Sequence, residues 1–429
     1  MGMQNSPLLM SRLVDRGATV SPNIDIVTAT EDGSRSQTYA ETRDRAHQLA
    51  HALKDVGIGI GDRVGTFMWN GSRHLEAYHA TAGMGAVLHT LNVRLSETDL
   101  EYIINHAGDR LIIADADALP LLDKLSGRIS TVERIVVATE AGFEDWSTSL
   151  PEAIDYEEFI QGKPTHFDWP EISERAPLGL CYTSGTTGRP KGVEYEHRSQ
   201  YLHTIAQCMT DSMGLSGADA VCGIVPMFHV MGWGIPWSAL MLGCKQVLPH
   251  RFMDPARLVR LMADEKVTLS AGVPTIWQGV KSAIEANPDA YDLSSLERLT
   301  CGGSAPPPSL IRWYWDVLGV EMIQGWGMTE TSPLATLSRR VMKRDHLDMT
   351  LDQQFDNVAK AGQIIPGLEL DIFDEEFNRV PHDGESVGEI LVRGPWICSE
   401  YFNDPQPEKF HGDWLITGDV GKIDSEEYL

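Results

Sequence analysis

Tyr182-Thr-Ser-Gly-Thr-Thr-Gly-Arg-Pro-Lys-Gly192 is the most informative stretch of this 429-residue chain. It follows an apolar run at residues 178–182 that predicts a β-strand. Glycines let backbone N–H groups approach an anion closely, hydroxyl groups add donors, and Lys191 adds a positive charge. The donors and glycines of the stretch are Thr183, Ser184, Gly185, Thr186, Thr187 and Gly188. The stretch therefore predicts a phosphate-binding loop at a strand end, although its composition alone also fits a flexible polar surface loop.

The spacing of the glycines distinguishes this loop from known dinucleotide and triphosphate loops. Only two residues separate Gly185 from Gly188, and Gly192 follows Lys191, so the loop is not a Walker A motif. A second glycine-rich segment at residues 57–61 lies after a predicted helix and before a predicted strand. That order is the reverse of a Rossmann turn, and we interpret the segment as a simple turn.

The elements on both sides of the loop predict an α/β fold. Thr38-Tyr-Ala-Glu41 has the spacing of a capping box, and regularly spaced apolar residues behind it form one helical face. Strand patterns at 63–68, 86–91, 111–114 and 135–138 alternate with helical ones, and a second series runs from 178 to 324. Alternation of this kind predicts two doubly wound, largely parallel sheets. Short strands separated by Gly, Pro and Asp predict a small β subdomain at about 361–394.

The composition argues against several classes of protein. The net charge of −26 is unlike that of a nucleic-acid binder, which presents a basic face. No apolar run reaches the roughly 18 residues of a membrane span, so we expect no stable membrane insertion. The six cysteines lack zinc-ligand and CxxC spacing, which favours reduced thiols and a cytoplasmic location. Any anionic ligand of so acidic a chain requires a locally positive site.

Three further motifs follow the loop in chain order: Gly302-Gly-Ser-Ala-Pro306, Gly325-Trp-Gly-Met-Thr-Glu330 and Thr417-Gly-Asp419. The first two come directly after predicted strands, where open α/β sheets bind ligands. Taken singly, each also has an ordinary structural interpretation: a Gly-Pro turn, a buried tryptophan and a turn. An apolar and aromatic segment at residues 226–237 contains His229, which such surroundings would more often make a core residue.

The eleven-residue loop and the three motifs, in this order, resemble the adenylate-forming superfamily of acyl-CoA synthetases, luciferases and peptide-synthetase adenylation domains. The resemblance covers essentially the whole chain. It implies an α/β fold, the large N-terminal domain of the acyl-CoA synthetase fold, with two doubly wound sheets and a small β-barrel-like subdomain. The corresponding ranges are 1–175, 176–355 with the ATP loop, and 356–429.

The resemblance also implies a role for each motif. ATP contacts are expected from Thr183, Ser184, Gly185, Thr186, Thr187, Gly188, Gly303, Ser304, Ala305, Pro306, Gly325, Trp326, Gly327, Met328, Thr329 and, at the ribose, Asp419. The implied catalytic residues are Lys191, His229, Thr329 and Glu330, and Glu330 is the implied Mg²⁺ ligand, since a hard cation prefers carboxylate oxygen. The implied acid pocket consists of His229, Gly232, Trp233 and Trp237. Trp326 stands where the family usually has tyrosine, which keeps stacking on adenine but loses the phenol hydroxyl.

The implied activity is ATP-dependent conversion of a short- or medium-chain acid to the acyl-adenylate and then to the coenzyme A thioester. The implied cofactors are ATP, Mg²⁺ and coenzyme A. No acidic residue lies between Pro226 and Trp237, which argues against an amino-acid substrate. Segments at 74–78, 83–90 and 228–236 resemble bacterial medium-chain acyl-CoA ligases and equally the ligases of 3-methylmercaptopropionate, and both substrates stay open.

Two alternatives to a CoA ligase also stay open: a non-catalytic adenylate-binding module, and adenylation followed by transfer to a carrier protein. Homodimerisation is an expectation from the family alone. The sequence ends at Leu429, ten residues after Asp419. Family members continue into a mobile C-terminal domain whose lysine contacts the carboxylate and the α-phosphate. We therefore expect this stretch by itself to bind nucleotide and acid but to catalyse weakly.

Overall fold

Three β-sheets and the helices packed on them form the described part of a computed structural model, which comprises residues 2–140, 142–183 and 188–429. The predicted loop residues Ser184, Gly185, Thr186 and Thr187 lie outside these ranges.

The strands are β1 Asp25–Thr30, β2 Gly33–Thr38, β3 Arg63–Phe67, β4 Val87–Thr90, β5 Leu111–Asp115, β6 Arg134–Ala138, β7 Ile154–Asp155, β8 Pro177–Tyr182, β9 Gly192–Glu196, β10 Ala220–Cys222, β11 Lys245–Leu248, β12 Leu269–Gly272, β13 Arg298–Cys301, β14 Glu321–Gly327, β15 Leu334–Ser338, β16 Gln363–Ile364, β17 Glu369–Phe373, β18 Gly388–Arg393, β19 Phe410–His411 and β20 Trp414–Gly421. The helices are α1 Met10–Val20, α2 Tyr39–Asp55, α3 Ser72–Met84, α4 Glu97–Ala107, α5 Leu119–Asp123, α6 Tyr156–Ile160, α7 His197–Gln207, α8 Val230–Trp233, α9 Ile235–Leu242, α10 Pro255–Asp264, α11 Pro274–Ala286, α12 Pro308–Leu318 and α13 Leu351–Val358. Short 3-10 turns lie at Ala116–Ala118, Thr329–Thr331, Arg344–Asp348 and Pro407–Lys409.

The first sheet has seven strands in the order β7-β6-β5-β3-β4-β8-β9, and every pair is parallel except β8 with β9. The predicted phosphate loop therefore connects two antiparallel neighbours of one sheet. Its base is closed by the Thr183 N–H, which donates to the Lys191 carbonyl at 2.9 Å. A hairpin of this kind differs from the strand-to-helix connection of a Walker A loop.

The second sheet has nine strands in the order β16-β15-β14-β13-β12-β10-β11-β1-β2. Its central strands are parallel, so β12, β13 and β14 end at the same edge. The small third sheet, β17-β18-β20-β19, is antiparallel throughout. Multiple sheets of mixed α/β type with one small antiparallel sheet confirm the predicted fold class.

Sheet membership does not follow the predicted ranges strictly. Strand β1 lies near the start of the chain but pairs with β11 of the second sheet, while β8 and β9 complete the first sheet. The ranges 1–175, 176–355 and 356–429 remain a prediction about domains. The small sheet continues past residue 394 to Gly421, and Thr417 and Asp419 therefore lie in strand β20 instead of an isolated turn.

Local signals in the sequence account for several helix starts. The Thr38 side chain accepts from the Glu41 N–H while Glu41 accepts from the Thr38 N–H at 2.6 Å, which confirms the capping box of α2. Asp254 caps α10 through the backbone of its first turn. Within the described ranges, no helix has both the length and the apolar character needed to cross a membrane.

Candidate active site

A cavity of about 720 Å³ opens where strands β8, β13 and β14 end, beside the small sheet. The predicted site residues that line it are Thr183, Gly188, Lys191, His229, Trp233, Gly303, Gly325, Trp326, Gly327, Met328, Thr329 and Glu330. The predicted residues that are described but stand outside the lining are Gly232, Trp237, Ser304, Ala305, Pro306 and Asp419. Strand ends from two sheets, β8 of the first and β13 and β14 of the second, thus meet at one cavity and bring together motifs from four separate parts of the chain.

The cavity also contains residues that sequence reasoning did not single out. They are Arg189, Gln207, Met213, Val230, Val273, Thr300, Pro333, Leu334, Tyr401, Asp404, Gln406, Lys409 and Ile416. Most of them come from segments without a recognisable motif, and the tertiary fold alone carries them to the cleft. Gly302 and Thr417, which belong to the quoted motifs, line it too.

The carboxylate of Glu330 is held by a tyrosine from the far end of the chain. Glu330 is 6% exposed, and the hydroxyl of Tyr401, itself 5% exposed, donates to Glu330 Oε1 at 2.6 Å. Burial and the neighbouring Glu330 charge raise the pKa of Tyr401, so the phenol keeps its proton and acts as a donor. A buried carboxylate with a fixed orientation, facing a cavity, is a suitable oxygen ligand for a hard divalent cation.

Lys191 reaches the same region from the loop. Its ammonium donates to Gln406 Oε1 and lies 5.1 Å from the centre of the Tyr401 ring. The Lys191 N–H also donates to Thr183 Oγ1 at 3.2 Å, which adds to the closure of the hairpin. The cavity lining therefore carries Lys191, Arg189 and Lys409 as cations against the acids Glu330 and Asp404, in a chain of net charge −26. This is the locally positive character that the sequence predicted for an anion site.

Trp326 makes a polar contact that the sequence did not predict. Its indole N–H donates to Asp419 Oδ2 at 2.9 Å, which joins strand β14 to strand β20. Trp326 and Met328 also pack against the apolar core of the small sheet. The tryptophan thus loses the phenol hydroxyl of the family's tyrosine but gains a hydrogen bond of its own to the predicted ribose ligand.

A left-handed turn presents His229 and Trp233 to the cavity. Five consecutive residues have positive φ: Val230 at 46°, Met231 at 52°, Gly232 at 62°, Trp233 at 57° and Gly234 at 74°. Such a conformation costs non-glycine residues roughly 1–2 kcal/mol each. Backbone strain of this size persists where the surrounding structure enforces it, which is common at functional sites.

The surroundings of the turn explain how it is maintained. Gln207 Nε2 donates to the Trp233 carbonyl at 2.6 Å, and the Ser238 hydroxyl donates to Gln207 Oε1 at 2.7 Å. The indole of Trp233 packs so closely on Gly302 that a Cβ there would lie 3.0 Å from its ring. A side chain at position 302 would therefore press against the ring of Trp233 and require it to shift.

His229 lines the cavity and is exposed there. Desolvation by the neighbouring protein lowers the pKa of its imidazole below the ordinary value of 6.5, so the ring is mainly neutral at pH 7. A neutral imidazole offers one donor and one acceptor. His229 can therefore orient a carboxylate with its N–H without adding a full positive charge to the pocket.

Comparison with known proteins agrees with this geometry. A model of the family described as AMP-binding enzyme matches residues 14–402. The chain is 40% identical over 428 residues to the 3-methylmercaptopropionyl-CoA ligase of Ruegeria lacuscaerulensis, covering 100% of this chain and 78% of that protein. It is 38% identical to the medium-chain-fatty-acid–CoA ligase of Ectopseudomonas oleovorans, with the same coverage.

A solved structure of a CoA ligase shares the fold of this chain. The anthranilate CoA ligase AuaEII, crystallised with anthranoyl-AMP, matches with a TM-score of 0.84 and 25% identity, covering 99% of this chain and 78% of that one. The names of these three proteins refer to three different acids. Similarity to these proteins therefore does not identify the acid that this chain activates, and the residues of the pocket have to be examined for that.

Proposed function

Because this chain belongs to the family of AMP-binding enzymes, we propose that its 720 Å³ cavity is where ATP activates a carboxylic acid. The chain is an AMP-forming acid–thiol ligase, which converts an acid to the acyl-adenylate and then to the acyl-CoA thioester with ATP, Mg²⁺ and coenzyme A. The observation that carries the location is that Lys191, Trp326 and Glu330, from separate motifs, line one cleft.

The first step requires no general base from the protein. A carboxylic acid with a pKa of about 4, as for Asp and Glu side chains, is already ionised at pH 7. The difficulty is to bring this anion against the α-phosphate, which is also negative. Catalysis is therefore mainly positioning and electrostatic stabilisation. In our proposal Lys191 and the backbone at Gly188 hold phosphate oxygens, and Thr329 contacts the α-phosphate.

The donor set at Glu330 suits a hard divalent cation. Glu330 lines the cavity, and the Tyr401 hydroxyl donates to one of its two carboxylate oxygens. When bound, Mg²⁺ would neutralise part of the phosphate charge. We propose Glu330 as its protein ligand, with Tyr401 as the residue that orients Glu330.

The other end of the cavity suits a small acyl group. Its walls combine the aromatic ring of Trp233 with apolar residues, namely Met213, Val230, Val273, Pro333 and Leu334. His229 lines the same cavity, where its neutral imidazole would orient the carboxylate. We propose a short- or medium-chain acid as substrate. Trp237, which was predicted for this pocket, is fully buried against Tyr78 and does not line the cavity.

A pyrophosphate-release assay with a panel of acids tests this proposal. Glu330→Gln keeps the size of the side chain but removes its charge, and we expect turnover to fall by about a hundredfold or more at any Mg²⁺ concentration. Glu375→Gln changes an exposed carboxylate in the turn that follows β17 and serves as the matched control. Normal turnover of Glu330→Gln would remove Glu330 from the site.

The same assay separates the alternative functions. Omitting coenzyme A should leave acyl-adenylate formation and remove thioester formation, whereas a carrier-protein system would make no acyl-CoA at all. A nucleotide-binding module would bind AMP without releasing pyrophosphate. Homodimerisation, a cytoplasmic location and weak catalysis by this stretch alone stay predictions.

A further inference from the structure

Asn70 binds the chain segment at residues 223–228, which follows strand β10 and leads to the candidate acid pocket. It lies in the loop between strand β3 and helix α3 and is 3% exposed. Its amide nitrogen donates to the carbonyls of Gly223 at 2.6 Å and Val225 at 2.7 Å. Its amide oxygen accepts from the Met227 N–H at 2.7 Å. One buried side chain thus binds three alternate residues of the segment.

The backbone of segment 223–228 lies beyond the end of β10, where regular strand pairing stops at Cys222. Buried backbone N–H and C=O groups still require partners there. An asparagine amide supplies two donors and one acceptor, so Asn70 provides what a neighbouring strand would otherwise provide. The carbonyl of Asn70 also accepts from the His250 N–H at 3.0 Å, after strand β11. Asn70 is therefore attached to the second sheet through its backbone as well as its side chain.

Two hydroxyl groups hold the end of the same segment. The Tyr78 hydroxyl on helix α3 donates to the Met227 carbonyl at 2.6 Å, and Thr90 Oγ1 on strand β4 donates to the Phe228 carbonyl at 3.3 Å. Tyr78 is fully buried, and Thr90 is 3% exposed. Removing either donor would leave a carbonyl without its partner in the interior, where water does not readily replace it.

His229 is the first residue after this segment, and its exposed side chain lines the cavity. The His229 N–H donates to the Pro226 carbonyl at 2.9 Å, and the His229 carbonyl accepts from the Gly232 N–H at 3.0 Å. Its backbone is therefore bonded on one side to the segment and on the other side to the left-handed turn that carries Trp233. A shift of the segment would move both side chains relative to a bound ligand.

We propose that Asn70 and Tyr78 are positioning residues for the acid, because they hold segment 223–228 and the segment holds His229 where it hydrogen-bonds an oxygen of the acid. This inference rests on the proposed function. Neither residue belongs to the described lining of the cavity, so both act through His229. Small displacements of a group that contacts the substrate are costly. Loss of either residue should weaken contacts to the acyl part of the ligand and leave the nucleotide contacts of Trp326 unchanged.

Two dissociation constants measured by calorimetry separate the two parts of the site. AMP reports on the nucleotide contacts alone, whereas a non-hydrolysable acyl-adenylate analogue reports on both parts. The analogue is whichever of butanoyl, hexanoyl and octanoyl sulfamoyl-adenosine binds wild type most tightly. Asn70→Ala should weaken this analogue about two- to tenfold, the contribution of one hydrogen bond, without changing the Kd of AMP. Tyr78→Phe removes a single bond and should cause the same selective loss by a smaller factor.

Gln354→Ala is the matched control for loss of a buried amide. Gln354 on helix α13 is 4% exposed, and its amide nitrogen donates to the carbonyls of His346 at 2.7 Å and Met349 at 3.4 Å. This variant should lower the free energy of unfolding in urea, as Asn70→Ala does, but change neither dissociation constant. In a His229→Ala background, Asn70→Ala should weaken the analogue no further, because Asn70 acts through His229.

The outcomes for the inference and for the proposed function are separate. The inference is overturned if folded Asn70→Ala keeps the wild-type ratio of the two dissociation constants, or if AMP and the analogue weaken by the same factor. It is also overturned if the selective loss persists in the His229→Ala background. If Asn70→Ala does not fold, Tyr78→Phe is judged by the same criteria. If wild type binds none of the three analogues more tightly than AMP, the proposed function itself fails.

Discussion

Replacing Tyr401 by phenylalanine tests how the proposed metal ligand is held. The variant removes one hydroxyl and leaves the ring, which packs near Phe410 and lies beneath the ammonium of Lys191. The deleted bond is short, 2.6 Å to Glu330 Oε1, and both residues are buried. A hydrogen bond to a charged group contributes about 1.5–3 kcal/mol, and we expect the free energy of unfolding to fall by that amount.

The same bond also restricts the orientation of the Glu330 carboxylate, a group of the cavity lining. Groups that orient a metal ligand typically contribute about 10- to 100-fold to metal affinity. We therefore expect the Mg²⁺ concentration for half-maximal pyrophosphate release to rise at least about tenfold in Tyr401→Phe. Turnover at saturating Mg²⁺ should fall much less, because Glu330 itself is still present.

Two measurements on the same protein decide the outcome. Urea unfolding gives the change in stability, and a Mg²⁺ titration of pyrophosphate release gives the change in metal requirement. Tyr291→Phe, a partly exposed tyrosine whose ring packs against Arg260, is the control and should change neither. A loss of stability with an unchanged Mg²⁺ requirement would refute Glu330 as the metal ligand, and no change in either would refute the hydrogen bond.

Three further variants test other parts of the site and the fold. Trp233→Ala removes the indole that packs on Gly302, so preference should move toward bulkier acids; an unchanged chain-length profile would exclude Trp233 from the pocket. Trp326→Phe keeps an aromatic ring but removes the bond to Asp419, so KM for ATP should rise about two- to tenfold while kcat changes little. An unchanged KM would show that the bond does not support nucleotide binding. Burial lowers the pKa of His203 to about 3, so the unfolded chain takes up a proton below pH 6.5 that the folded protein does not. The contribution of His203 to stability should fall by about 1.4 kcal/mol per pH unit as the pH drops below 6.5, and stability should depend less steeply on pH by that amount in His203→Gln, measured by urea titrations at pH 6 and 5.

Local structure was predictable wherever a few neighbouring residues determine it. The capping box at Thr38 depends on contacts within one turn and forms as predicted, and the Asp254 cap of α10 depends on equally local contacts. Strand β1 shows the limit of such reasoning. Its pairing partner β11 lies more than 200 residues away in the sequence. The local sequence of β1 contains no information about which of the two sheets it will join.

The candidate site shows the same difference between features with a local sequence signal and features that depend on long-range contacts. Lys191, Trp326 and Glu330 were predictable because each belongs to a motif at the end of a strand, β8 in the first sheet or β14 in the second, where open α/β sheets bind ligands. Tyr401 and Gln406 were not, because a single tyrosine or glutamine in a loop carries no motif. Their importance depends on contacts with Glu330 and Lys191 that exist only in the folded chain.

The acidity of the chain shows how local and total charge act at different distances. At physiological ionic strength the Debye length is about 8 Å, so most of the 61 carboxylate side chains are screened from a ligand in the cavity. Arg189, Lys191 and Lys409 line the cavity itself, so little solvent lies between their charges and a phosphate bound there. The lining also contains two acids, Asp404 and Glu330, and a cation bound to Glu330 would reverse the effect of that carboxylate on phosphate. A few lining residues therefore determine the electrostatic potential that a bound nucleotide experiences. The net charge of −26 instead affects the rate at which an anionic substrate approaches from solution.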